Sequence, residues 1–209
     1  MALLWKAGEQ SLVDDIRIQG GHGTVVAGTG GVAQRRDPYE KSADFDPSAW
    51  WDRQYPSIWV TDGGGGTFAG VWTPNTFAQA GFYVSNTSTP GHVYELSAEH
   101  HIRAEIVLDN VENWEFLAPQ TEQEVRDGMD AVSLEVRNSR NILFANYHGY
   151  RVTRSIKPAE AAVRITNSSD IRFRNVHVNG ESGYAACDEQ GCGTYLRASK
   201  YPFENAIRD

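Results

Sequence analysis

Cysteine is nearly absent from this chain: Cys187 and Cys192, both in the hexapeptide CDEQGC, are all it has. Two thiols exclude a disulfide framework of the kind small secreted domains use. A structural metal site would need two further ligands, and no second Cys/His cluster has the spacing, so the sequence points to no metal and no cofactor. A local disulfide across a turn and a pair of free thiols both remain open. Long apolar runs are missing too. No stretch approaches the roughly 18 residues that span a bilayer, and MALLWKAGEQ is too short and too soon charged for a signal peptide. Basic charge is scarce: 19 Lys and Arg against 27 Asp and Glu leave a net charge of −8, which argues against duplex nucleic acid or an anionic membrane as the main partner and leaves neutral ligands. Finally, no segment longer than about 10 residues holds a helical period.

What is present is the material of a turn-rich β protein. The chain carries 20 Gly, 6 Trp and 9 Tyr, and its 40% hydrophobic and 22% charged residues are a globular rather than a disordered composition. Its 209 residues suit a single domain spanning 1–209. Three segments align without gaps: IVLDNVENWEFLA from Ile106, LEVRNSRNILFAN from Leu134 and VRITNSSDIRFRN from Val163. Ile106, Leu108, Trp114 and Phe116 correspond to Leu134, Val136, Ile142 and Phe144, and to Val163, Ile165, Ile171 and Phe173. Period-two spacing points all of them inward. Asn110, Asn138 and Asn167 hold the intervening corner, and FYVSN and IWVTD place Asn86 and Asp62 in the same slot, so corners recur after 24, 24, 28 and 29 residues.

Short strands recurring at that period, with no room for crossover helices, predict an all-β chain: a right-handed parallel β-helix, or β-solenoid, from about residue 13 onward. The corner asparagines are expected to face inward as a polar ladder, which would also shield the glycosylation sequons NTS at Asn86 and NSS at Asn167. DDIRIQGGHGTVVAGTGG supplies an earlier coil, and DGGGG at Asp62–Gly66 reads as a tight corner rather than a phosphate loop. Residues 32–57 carry Pro, charge and the Trp50-Trp51 pair and break the repeat, which predicts an inserted loop. Both ends start or stop inside patterned sequence, so the solenoid is expected to be incomplete at both ends. An uncovered end templates self-association or packing on a second β-helix domain.

Gly81 to Glu122, GFYVSNTSTPGHVYELSAEHHIRAEIVLDNVENWEFLAPQTE, resembles the second β-helix of glycoside hydrolase family 55, the exo-β-1,3-glucanases or laminarinases, and related pectate-lyase-like solenoids. The features shared are the strand after Gly81, G-x-V-Y before a turn, the EH pair, an Asn corner and QTE; VWT at Val71–Thr73 and AAVRITNSSDIRF also fit. The resemblance implies a secreted or extracytoplasmic protein that hydrolyses β-1,3-glucan-type polysaccharide with inversion, and it puts the general acid at Glu99. The family commonly has a glutamate where this chain has Ser85, and an aspartate where the alignment reaches Asn75.

Corner-to-strand offsets make a matching expectation. Thirteen residues beyond Asp62, Asn86 and Asn110 lie Asn75, Glu99 and Gln123, the last next to Glu122. Stacked about 4.8 Å apart, these would form a polar strip suited to sugar hydroxyls. Glu99 and Glu122, with Asp62 as another possible carboxylate, are the candidate acid and base, and an inverting pair sits roughly 6.5–9.5 Å apart with water between. Candidate substrate contacts are Asn75, His100, Gln120 of the QTE motif, and Trp50, Trp51 and Trp72. Trp50 and Trp51 are the better sugar platforms, whereas Trp59, Trp72 and Trp114 fall on strands and fit the core. As strand neighbours, His100 and His101 would point to opposite faces. The competing class is a carbohydrate-binding or structural β-helix without turnover, one module of a larger enzyme. A polysaccharide lyase would need a Ca²⁺-binding carboxylate cluster and a basic residue, and no such cluster surrounds Arg103.

Overall fold

The computed structural model describes residues 1–19, 55–74, 78–101, 103–123, 132–151, 162–180, 186–188 and 191–192. Among them there is no helix. Strands β1 (Leu3–Trp5) and β2 (Leu12–Arg17) make the first rung, β3 (Ile58–Val60) and β4 (Gly66–Pro74) the second, and β5 (Ala80–Thr87) and β6 (Gly91–Glu99) the third. The fourth rung is β7 (Ala104–Leu117), which runs through a corner, and β8 (Gln120–Gln123). Next come β9 (Val132–Arg137), β10 (Arg140–Ala145) and β11 (His148–Arg151), then β12 (Val163–Thr166), β13 (Ser169–Arg174) and β14 (His177–Gly180). β15 (Ala186–Asp188) continues the stack and turns back on β16 (Gly191–Cys192).

One face stacks β1, β3, β5, the start of β7, β9, β12 and β15 in parallel register. A second face stacks β2, β4 and β6, then the end of β7 with β8, then β10 with β11 and β13 with β14. The chain is thus a parallel β-helix, as the repeat predicts. The gapless alignment is reproduced residue for residue: Ile106 pairs with Leu134 and Leu134 with Val163, while Trp114 pairs with Ile142 and Ile142 with Ile171. The β15–β16 hairpin sets Cys187 opposite Cys192. Facing residues of an antiparallel pair have Cα atoms roughly 4.5–5.5 Å apart, a backbone separation compatible with the cross-turn disulfide.

Apolar rows from both faces meet inside. Ile58, Val60, Phe82, Val84, Ile106, Leu108, Leu134 and Val136 are fully buried from the first face, Phe68, Val93, Phe116 and Phe144 from the second. Stacking is direct: Phe116, Phe144 and Phe173 lie ring over ring with centroids 4.9 and 5.1 Å apart. Trp114 fills the fourth rung by lying over Gly91, its in-register neighbour on β6, and its indole N–H donates to Thr89 O at 3.0 Å.

The corners correct one expectation. Asn86, Asn110, Asn138 and Asn167 are exposed, not inward. Each holds a left-handed backbone, with φ of 50°, 60°, 52° and 46°, and Asp62 does the same at 51°. Asparagine tolerates that conformation better than other side chains do, so the residue type was selected by the turn rather than by the core. Their amides still form a ladder, on the surface: Asn110 donates to Asn86 and Asn167 to Asn138, at 3.0 and 2.7 Å. The two sequons therefore lie on exposed corners. Asn138→Ala is expected to lose about 1–2 kcal/mol in urea denaturation, from an alanine forced to positive φ and a broken ladder, with Asn138→Gly losing less.

Candidate functional site

Toward the end of the second face the strands carry two outward rows. One runs Arg17, Trp72, Ser97, Gln120, His148. Two residues further along the strands, the other runs Pro74, Glu99, Glu122. Glu99 and Glu122 are thus directly opposed on adjacent rungs, both partly exposed. Ser97 Oγ and Gln120 Nε2 both donate to Glu99 Oε1, at 2.7 and 3.4 Å, which fixes that carboxylate from its own strand and from the next.

After Glu99 the chain turns sharply. His100 has φ 63°, and its N–H donates to Glu122 O at 2.9 Å. This left-handed residue breaks strand alternation and brings the His100 ring alongside the two carboxylates, with Nε2 3.7 Å from Glu122 Oε1. The next side chain, His101, goes inward and is completely buried. Its Nδ1 is bonded to Glu105 Oε2, its backbone N–H donates to Glu105 Oε1 at 3.1 Å, and its Nε2 lies 3.5 Å from Ser57 Oγ. The ring occupies the space above Gly81, where a Cβ would come within 2.7 Å of His101 Cε1. Gly81 lies between Ser57 and Glu105 in the rung stack, so the absent side chain of one rung makes room for the imidazole that links its neighbours.

Burial governs the charge of this pair. Desolvation drives the His101 pKa down to about 3, with the neighbouring His100 adding to the effect and Glu99 opposing it. Desolvation likewise holds Glu105 well above the usual carboxylate range. Both shifts disfavour the charged forms, so burial favours a neutral hydrogen-bonded clasp beneath the corner that carries Glu99 and His100.

The remaining sequence candidates scatter. Asp62 stands on the opposite corner, exposed, in an ion pair with Lys6 at 2.5 Å. The length of β4 separates it from the Pro74–Glu99–Glu122 row, roughly 26 Å at strand rise. Asn75, Trp50 and Trp51 lie outside the described residues, as does most of the 32–57 insertion. The position facing Glu99 is Pro74, not Asn75, because Asn86 to Gly91 is one residue longer than Asp62 to Gly66 although Gly66 and Gly91 are in register. Ser85 belongs to the first face, where its hydroxyl is bonded to Trp59 and Thr61. Trp114 is core as expected. Trp72 is not: it is 38% exposed, with the Arg17 guanidinium 4.1 Å from its ring centroid. Trp59 lies on the outer side of the first face, stacked between Tyr55 and Tyr83.

The two carboxylates approach closely on adjacent rungs. One ligand-type atom each from Glu99, His100 and Glu122 lie within 4.8 Å of one another, less than the roughly 6.5–9.5 Å of an inverting pair. Sequence reading missed Ser97, two residues before Glu99 on the same face, and His148, in register with Gln120. Period-two counting from Glu99 would have reached Ser97, and the 28-residue spacing from Asn110 to Asn138, applied to Gln120, would have reached His148. Compared with known proteins, the chain matches no family model, no curated protein and no solved structure.

Proposed function

We propose that the chain is a carbohydrate-active β-helix whose second face binds a neutral β-glucan-type polysaccharide without cleaving it. One observation carries this reading: Glu99 and Glu122 stack in register on an outer face beside Ser97, Gln120 and an exposed Trp72. Carboxylates and amides at rung spacing offer sugar hydroxyls repeated acceptors and donors, and an indole offers an apolar surface for a pyranose ring. Arg17 covers one face of that indole, so a sugar would stack on the other. The acidic balance of the chain suits a neutral rather than a polyanionic glycan.

A second reading, hydrolysis of β-1,3-glucan, is favoured by the resemblance of Gly81–Glu122 to the family 55 β-helix and by the fixed orientation of Glu99, its general acid in that scheme. It lacks a base placed across a water molecule among the described residues, and for that reason binding is the better conclusion. Titration with laminarin, followed by a reducing-sugar assay on the same samples, separates the two. Binding weakened at least tenfold by Gln120→Ala or Trp72→Ala, with no sugar released, is the expected result. Release that disappears in Glu99→Gln would replace binding by hydrolysis, and no interaction with laminarin at all would sink both.

A further inference from the structure

We propose that Glu99, His100 and Glu122 form a three-ligand site for a divalent transition cation of the zinc class. The proposal goes beyond saccharide binding and stands on the cluster alone. Two carboxylate oxygens and one imidazole nitrogen already lie within 4.8 Å of one another, on two rungs of a rigid stack. Zinc-class bonds of about 2.0–2.2 Å in a tetrahedral shell put ligand atoms about 3.4 Å apart, so modest side-chain rotations would close the shell. Three protein ligands and an open position toward solvent is a common catalytic-type arrangement for such ions. Calcium would want six or more oxygens, and magnesium a near-octahedral oxygen shell, so the imidazole selects against both.

Two further features of the corner fit a cation better than a saccharide contact alone. The first is the backbone. On a regular strand, residue 100 would face away from residue 99, yet the left-handed turn at His100, pinned by its N–H to Glu122 O, delivers the ring to the carboxylates. Positive φ is uncommon for a residue with a side chain and is retained where surrounding structure enforces it. The second is charge. Like charges directly opposed on neighbouring strands are destabilising. Three carboxylates elsewhere have a basic partner, Glu112 with Arg140, Asp109 with Arg137 and Asp62 with Lys6, whereas Glu99 and Glu122 face each other directly in register. Among the described residues no ion pair joins Glu99 or Glu122 to an arginine or lysine, and the His100 imidazole lies beside both carboxylates. A bound divalent ion would neutralise both. Ser97 and Gln120 donate to Oε1 of Glu99, leaving Oε2 for the ion, which is the outer-shell support that ligating carboxylates usually have.

The test is calorimetric titration of the EDTA-treated full chain with zinc, manganese, calcium and magnesium chlorides, read together with the thermal unfolding midpoint. Expected are one equivalent of zinc bound, a raised midpoint, and affinity for zinc at least a hundredfold above that for calcium or magnesium. Glu122→Gln, nearly isosteric, and His100→Ala should each weaken zinc binding at least tenfold, while the exposed Glu95→Gln leaves it unchanged; circular dichroism would verify that the variants fold. Absence of zinc binding at millimolar concentration, or binding that both site variants leave intact, overturns the proposal. Laminarin titrations run in EDTA keep the two readings apart, because loss of one signal with retention of the other identifies which has failed.

Discussion

Glu105→Ala is expected to cost the fold on the order of 3–5 kcal/mol, from a buried imidazole left without its hydrogen-bond partner together with the cavity the carboxyl side chain leaves. Glu105 and His101 are both fully buried, and the carboxyl accepts from the histidine backbone while engaging its ring. Removing it strands an imidazole in the core. Glu105→Gln, which retains an acceptor for the His101 backbone N–H, should lose less. The pair also sets a pH profile. His101, held neutral with its pKa lowered to about 3 from 6.5, costs stability as pH falls below 6.5, where the unfolded histidine takes up a proton that the folded one refuses. Glu105, raised well above 4.5, costs stability as pH rises past 4.5, where the unfolded carboxyl releases a proton that the folded one keeps. Between those values the two effects cancel. The pair therefore lowers stability on the acid side through His101 and on the alkaline side through Glu105, with its contribution greatest in between. Urea midpoints across pH 4–8 for wild type and Glu105→Gln would show it; a profile that the substitution leaves unchanged would mean that the pair does not hold its proton as described.

Gly91→Val should be nearly as damaging, for a different reason. A Cβ at residue 91 would lie 2.2–2.5 Å from ring carbons of Trp114, which is 2% exposed and wedged between Phe68 and Phe116. The indole cannot yield without disturbing Phe82 as well. Overpacking of a filled core typically costs about 1–3 kcal/mol, and a clash with a ring that has nowhere to go belongs at or above the top of that range. Pairing Gly91→Val with Trp114→Leu should recover part of the loss, since the smaller side chain vacates the space the valine needs. Equal destabilisation in the single and double variants would show that Gly91 is required by its backbone rather than by the ring.

The rungs were legible because every one repeats the same demand. Ile106, Leu134 and Val163 are aliphatic for one reason, burial on the first face, and three copies of a constraint make a pattern. The corner asparagines were equally visible, but their direction was not. A side chain chosen for positive φ and one chosen for a buried ladder are the same letter, and only the backbone distinguishes them. The site was half legible. Glu99 and Glu122 share a face because they lie one rung apart, a spacing that can be counted, and the one-residue difference between the Asp62–Gly66 and Asn86–Gly91 corners is what displaced Asn75 from their row. The clasp beneath them escaped counting altogether: His101, Glu105, Ser57 and Gly81 come from three rungs, and their association depends on a glycine vacancy filled by a side chain from a corner. The left-handed turn at His100 was hidden for a related reason, since alternation is the rule from which a sequence reader starts.

The most direct measurement is a crystal structure of the chain grown with a laminarin-derived oligosaccharide. Sugar rings lying across the second face, hydrogen-bonded to Glu99, Gln120 or Glu122 and intact at every linkage, are the predicted result. An empty second face at millimolar ligand, or a sugar bound instead on the first face beside Trp59 and Tyr83, would contradict it.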